Sequence, residues 1–285
     1  MIGIDVSKWQ GEIDWPKTRS AGAKWAVIKA GGGSSTGSYT DSQFARNANE
    51  CAKVGIPQTY YWWLYPTDGE AQAKYFYNLV KDVERHPKLG LAVDYEDTAL
   101  TTAQYMATFI RFYSQLATLG APPQFFYSRA SFMQHRTVPS SLFDKMDLWI
   151  ARYIDAPAPW GNRYDASWTK PPHFKTWFWW QYSADGNRRG KEFGAKSADI
   201  DLNKFNGNWD EFIGKEEKKV EEKFPVTIKV TSDGVALYNN KDLGKIVGSA
   251  PLGTRFTAYS EAEKGGFAYW VCGSVAILKD HGKLI

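Results

Sequence analysis

Apolar positions recur along the first two hundred residues in two alternating rhythms. Short apolar runs read as strands: Ile2-Gly-Ile-Asp-Val6, Trp25-Ala-Val-Ile-Lys29, Gln58-Thr-Tyr-Tyr-Trp62, Leu91-Ala-Val-Asp-Tyr-Glu96 and Gln124-Phe-Phe-Tyr127. Between them, Phe44, Ala48, Cys51 and Ala52 recur at helical spacing, as do Phe76, Leu79, Val80 and Val83. Thr101 and Gln104 form a capping box that opens a helix carrying Tyr105, Phe109, Phe112, Tyr113 and Leu116, and Gly120 stops it. Leu148-Trp-Ile-Ala151, Thr176-Trp-Phe-Trp-Trp-Gln181 and Ile200-Asp-Leu202 supply later strands, with no ten-residue helix pattern among them. About eight strands and early long helices predict an α/β fold. The expected form is an irregular parallel TIM-like barrel over residues 1–213 that loses helices in its second half. Closure fits eight strands, and no dinucleotide fingerprint supports an open doubly wound sheet.

The rhythm changes after Gly214. Residues 214–224 are dominated by Lys and Glu and read as a charged linker. In 225–285, Val226, Ile228 and Val230 alternate with Thr227 and Lys229. Turn signals at Ser232-Asp-Gly234, Asn239-Asn240 and Lys264-Gly-Gly266 then divide short strands, which predicts a small all-β barrel.

Composition narrows the classes of function. A net charge of +4 on 285 residues gives no case for nucleic acid as a partner. No run of about 18 apolar residues predicts membrane insertion. The first residues lack the basic and apolar regions of a signal peptide. Two distant cysteines and four scattered histidines offer neither a disulfide framework nor a metal site, so no metal and no cofactor is expected. Aromatic residues reach 16%, and twelve of the 13 Trp precede the linker. That surplus fits a large aromatic core or a sugar-stacking cleft.

Asp94 and Glu96 are the sharpest chemical signal. Residues i and i+2 of a strand share a face, about 7 Å apart, and like charges that close raise one carboxyl's pKa. A protonated carboxyl beside an ionised one is the equipment of glycoside hydrolysis. Both sit where their strand ends, which is where barrel active sites form. Asp5 ends the first strand and Asp201 lies in the last, so closure would bring four acids to one mouth; Asp199 has the same parity as Asp201 and competes with it. Tyr60, Tyr61, Trp62, Tyr127, Trp149, Tyr153, Trp180 and Tyr182 flank the strand ends as candidate cleft aromatics. Gly31-Gly-Gly-Ser-Ser-Thr-Gly37 lacks the spacing of a phosphate loop and reads as a flexible loop over the mouth.

Six ordered motifs carry a resemblance: Ile2-Gly-Ile-Asp-Val-Ser-Lys-Trp-Gln-Gly11, Ala26-Val-Ile-Lys-Ala30, Ala92-Val-Asp-Tyr-Glu96, Leu148-Trp-Ile-Ala151, Trp180-Gln-Tyr-Ser183 and Ile200-Asp-Leu-Asn203. Residues 1–212 resemble glycoside hydrolase family 25, the Chalaropsis-type lysozymes. The resemblance implies cleavage of the β-1,4 bond between N-acetylmuramic acid and N-acetylglucosamine in bacterial peptidoglycan. It implies Glu96 as general acid, Asp94 as second catalytic carboxylate, and Asp5 and Asp201 as supporting acids. Tyr61, Tyr127, Trp149, Trp180 and Lys29 are the expected substrate-binding residues. Where the family often carries a Glu after its second strand, this chain has Gly31-Gly32-Gly33. Asp233-Gly-Val-Ala-Leu-Tyr238, Lys245-Ile-Val-Gly248, Gly253-Thr-Arg-Phe256 and Tyr269-Trp270 resemble a bacterial SH3-type wall-binding domain. The whole then resembles a phage endolysin, held in the host cytoplasm until a holin pore admits it to the wall. A chitinase-like hydrolase and a non-catalytic wall-binding protein are the rival readings.

Overall fold

The computed structural model describes residues 1–137, 140–153, 173–214, 226–239, 242–258, 260–264, 267–272, 275–278 and 282–284. The chain divides into two compact units, 1–214 and 215–285. Apart from Gly214, the charged stretch lies outside the described residues, as do parts of the turns at 239–240 and 264–266.

In the first unit, eight strands close a barrel: β1 (Ile2–Val6), β2 (Ala23–Ser34), β4 (Gln58–Trp63), β5 (Ala92–Asp94), β6 (Phe125–Arg129), β7 (Asp147–Ala151), β8 (Trp179–Ser183) and β9 (Asp201–Phe205). β1 completes the ring by pairing with both β2 and β9. Strands β1 through β8 of the ring run parallel, but β9 is antiparallel to both of its neighbours. This corrects the expectation of an all-parallel barrel. The 17 residues between Ser183 and Asp201 form no α-helix to carry a parallel crossover, and the chain returns down the barrel instead of crossing it.

The glycine stretch is also not a loop. β2 continues through Gly31, Gly32 and Gly33 into a hairpin with β3 (Gly37–Thr40), and all three glycines are buried. A Cβ on Gly31 would stand 2.1 Å from the Tyr39 carbonyl oxygen, and one on Gly33 would stand 2.2 Å from Gln72 Oε1. Glycine is required there by close approach rather than by flexibility.

Helices α1 (Trp15–Ser20), α2 (Phe44–Lys53), α3 (Gly69–Val80), α4 (Thr102–Thr118) and α5 (Ala130–Arg136) follow the early strands. The Thr101–Gln104 capping box forms as expected. α5 had no sequence signal, and after β7 the described residues hold one short α-helix, α6 (Trp209–Ile213), and a single 3-10 turn at Gly186–Arg188. Outward residues such as Ile28, Tyr60, Val93, Phe126, Ile150 and Trp180 pack with the helices in one large core. Inward residues form a second cluster, of Trp25, Val27, Tyr61, Phe125, Trp149, Trp179 and others.

That inner cluster makes an aromatic floor. Trp25 stacks on Trp209 at 4.4 Å and on Trp179 at 6.1 Å, and Phe125 stacks on Trp179 at 4.3 Å. Gly3 makes room for it, since a Cβ there would lie 1.9 Å from the Trp25 ring. Much of the aromatic surplus is therefore core.

The second unit has a three-stranded sheet of β10 (Val226–Val230), β13 (Arg255–Ala258) and β17 (Gly282–Leu284). A five-stranded sheet joins β11 (Val235–Asn239), β12 (Asp242–Ala250), β14 (Ser260–Lys264), β15 (Phe267–Cys272) and β16 (Val275–Leu278). All its pairings are antiparallel, and Ile228, Val230, Val235, Trp270 and Ile277 share a core.

Candidate active site

Strand parity assembles the site. Asp5 on β1, Lys29 on β2, Tyr61 on β4, Asp94 on β5, Tyr127 on β6 and Gln181 on β8 share the inward face. Asp5 stands directly opposite Asp201 in the β1–β9 ladder. Asp201 opens its strand rather than ending it, so the antiparallel direction of β9 is what brings it to the mouth. Spacing left Asp199 and Asp201 equivalent, but the structure separates them. Asp199 is a half-exposed surface acid paired with Arg188 at 3.0 Å, whereas Gln10 Nε2 donates to Asp201 Oδ2 at 3.4 Å.

Asp5 is the hub of a hydrogen-bond network. Its Oδ2 accepts from Gln181 Nε2 and Asn203 Nδ2, both at 2.8 Å. Gln181 Oε1 accepts from the hydroxyls of Tyr127 at 2.9 Å and Tyr153 at 3.0 Å. Asn203 Oδ1 accepts from Trp149 Nε1 at 2.7 Å. Each amide is thereby fixed in orientation. Buried networks of this kind hold geometry when every member is satisfied.

The other acids are less satisfied. Asp94 is 4% exposed, and its Oδ1 accepts no hydrogen bond from the described residues. Glu96 Oε2 pairs with Arg129 Nε at 3.0 Å. All four carboxyls titrate high. Burial pushes Asp5 up to about 6 against the pull of the Asn203 and Gln181 amides. Burial and then the Glu96 charge push Asp94 well up, while Lys29 pulls it down. Burial raises Glu96 against Arg129 and Lys29, and burial followed by Asp5 raises Asp201 well above the carboxylate range. Burial and mutual repulsion among four crowded acids, only partly offset by Lys29 and Arg129, raise the proton affinity of the site above that of surface carboxyls.

The aromatic expectations divide. Tyr61 and Tyr127 lie at the acids, 8% and 6% exposed, and Lys29 Nζ sits 5.7 Å from the Tyr61 ring. Trp149 is inward but only 1% exposed, edge-on to Tyr61 at 5.9 Å, so it underlies the site. Trp180 is corrected outright. Gln181 takes the inward parity, so Trp180 points into the helix-facing core and donates to the Arg152 carbonyl at 2.8 Å. Tyr60, Trp62 and Tyr182 share that outward core.

Sequence reasoning assigned no role to Gln181, Asn203, Arg129 or Gln10. Gln181, Asn203 and Gln10 stand in the quoted motifs, and for the first two their inward parity beside Asp5 was the available signal. It also missed Trp9, 74% exposed on a tight turn, Lys8–Gln10, that directly follows β1. A Ser7–Gln10 capping box and the bond from the Lys8 amide to Asp41 Oδ2 (3.0 Å) hold that turn.

The family model for glycosyl hydrolases family 25 matches residues 4–191. Lysozyme M1 of Streptomyces globisporus is 31% identical over 223 residues, spanning 72% of this chain and 68% of that protein. The crystal structure of the bacterial lysozyme from Streptomyces coelicolor aligns with a TM-score of 0.57 at 28% identity, covering 75% of this chain and 95% of that one. The spore cortex lytic enzyme SleM of Clostridium perfringens shares the fold along 100% of this chain and 86% of its own, with a TM-score of 0.59 at 18% identity.

Proposed function

The chain belongs to glycosyl hydrolase family 25, and from that premise we propose that this glycoside hydrolase is an N-acetylmuramidase of bacterial peptidoglycan. The observation that carries the reading is the convergence of Asp5, Asp94, Glu96 and Asp201 at one barrel mouth, all with raised proton affinity. Glu96, the least buried of the strongly inward acids, donates its proton to the glycosidic oxygen. Asp94 bears the charge that answers the developing cation. Asp5, held by two amides, and Asp201 keep the pocket's proton count high. Lys29 and Tyr61 position the sugar.

The spacing of Asp94 and Glu96 suits neither a direct nucleophile nor a water-activating base well. We favour attack by the substrate's own acetamido group, with Asp94 stabilising the resulting oxazolinium. That route gives a product of retained anomeric configuration. Proton NMR before mutarotation reads the anomer, and an inverted first product eliminates the route while leaving the bond cleaved unchanged.

We read the second unit as an SH3-like wall-binding module and the whole as a phage endolysin. Its all-antiparallel small sheets and the Asp233–Tyr238 and Gly253–Phe256 motifs support that reading. The deciding experiment is mass spectrometry of digested peptidoglycan. Reducing-end muramic acid supports a muramidase; reducing-end glucosamine or free peptides refute it.

A further inference from the structure

Arg129 is the last residue of β6 and the N-cap of α5. Its side chain is 48% exposed, while that of its partner Glu96 is 13% exposed. The pair is made through Nε alone at 3.0 Å, and the terminal nitrogens of Arg129 donate to nothing else among the described residues. Its guanidinium lies 6.0 Å from the Phe132 ring, so the head is bounded on one side and open to solvent on the other. A guanidinium in that state has its carboxylate-binding fork free for a second anion.

An ion pair works against a general acid, because the pair favours the carboxylate. We propose that Arg129 is a latch on Glu96: it biases the carboxyl toward its ionised form in the free enzyme, and a carboxylate on the incoming glycan draws the guanidinium away. Glu96 then takes a proton from solvent and passes it to the glycosidic oxygen as the carbon–oxygen bond breaks. The latch rests on the muramidase reading and deepens it. Muramic acid supplies the required anion, as a free lactyl carboxylate or as the acidic groups of its stem peptide. Neutral chitin supplies none, so the acid is armed by the carboxylated glycan.

The other charges around Glu96 do not offer the same release. Lys29 of β2 also faces it, but Lys29 is 9% exposed, with its Nζ 4.8 Å from the Trp63 ring and 5.7 Å from that of Tyr61. Asp94 and Asp97 beside it, Asp5 of β1 and Asp201 of β9 all act to keep Glu96 protonated. The Tyr127 and Tyr153 phenols complete its surroundings. Arg129 is the one exposed cation in the set. It is a positioning residue, acting through Glu96.

The test is the pair of pH profiles on soluble, peptide-stripped glycan chains, for wild type, R129Q and R129K. The basic limb of kcat/KM reports the free enzyme, and that of kcat reports the complex. In wild type the kcat limb lies at higher pH than the kcat/KM limb. R129Q moves the kcat/KM limb upward by up to about one pH unit, toward the kcat limb, since an exposed partner is partly screened. On the basic side that is up to about tenfold more armed free enzyme. R129K keeps the wild-type split. The latch is overturned if the two wild-type limbs coincide, or if R129Q leaves the kcat/KM limb in place. A wild type that releases no reducing ends from glycan refutes the muramidase reading instead.

Discussion

The two ends of the barrel interior are made by the same strands at the same parity, yet they carry opposite chemistry. Climbing β2, the inward residues are Trp25, Val27 and Lys29; on β6 they are Phe125, Tyr127 and Arg129; on β1 they are Gly3 and Asp5. Four residues, about 13 Å of strand, separate Trp25 from Lys29 on β2 and Phe125 from Arg129 on β6. At the floor, Trp25, Trp179 and Trp209 fill space and exclude water. That floor closes one end of the mouth to solvent, which is why burial heads the causes that raise all four acids. The difference teaches that rigidity and reactivity are supplied by different levels of one layer stack. A change at one level should therefore spare the property of the other.

Glu96→Gln tests that separation with the largest effect. The amide keeps the shape and has no acidic proton to transfer, so the rate of reducing-end release should fall about 10²–10⁴-fold. The melting temperature should stay within a few degrees of wild type, because the exchange leaves the floor untouched and relieves crowding among acids. A variant that clears glycan at the wild-type rate removes Glu96 from the chemistry.

Gly3→Ala strikes the floor. Its Cβ would meet the Trp25 indole at 1.9 Å, and overpacking of this kind costs about 1–3 kcal/mol. Urea unfolding should show the loss, while kcat per folded molecule stays near wild type. A collapse of kcat with unchanged stability would mean that the two levels are not separable.

Asp5→Asn sits between the levels and links pH to stability. With the carboxyl raised from 3.8 to about 6 in the folded protein, the folded chain holds a proton the unfolded chain has lost. Stability therefore falls as pH rises from about 4 through 6 and stays lower above it. Asparagine offers an oxygen to the same Gln181 and Asn203 amides without a charge. Its stability to unfolding should match wild type near pH 4 and exceed it near pH 7.5 by an amount on the order of 1–3 kcal/mol, with a higher melting temperature at the upper pH. Equal melting temperatures at both pH values would show that Asp5 carries no buried-charge penalty.

How much of this was legible in the sequence depended on whether neighbours or geometry carried the information. Asp94 and Glu96 were legible because strand parity is local. The Thr101–Gln104 cap was legible for the same reason. The direction of β9 was not, since alternation reads the same either way along a strand. It is the antiparallel turn that delivers Asp201 and Asn203 to Asp5. Trp180 was misplaced because Trp177-Phe-Trp-Trp is apolar on both faces, and parity is invisible in a strand buried on both sides. Gly31 to Gly33 read as a loop because their reason, the close approach of Tyr39 and Gln72, comes from elsewhere in the chain.

Trp9 supplies the smallest and finest test. At 74% exposure it adds little to the fold, yet the Ser7–Gln10 box holds its turn rigid beside the bond from Gln10 to Asp201. Lys8 Nζ lies 5.1 Å from its ring. A large flat ring held out one turn past the strand that carries Asp5 has the shape to stack on a sugar bound next to the cleavage point. Trp9→Ala should then raise KM for glycan by about threefold to tenfold, corresponding to roughly 1 kcal/mol of lost ring contact. It should leave kcat and the melting temperature near wild type, because the ring touches neither the acids nor the floor. A fall in kcat at constant KM would move Trp9 into the mouth's chemistry and erase the boundary between rim and site.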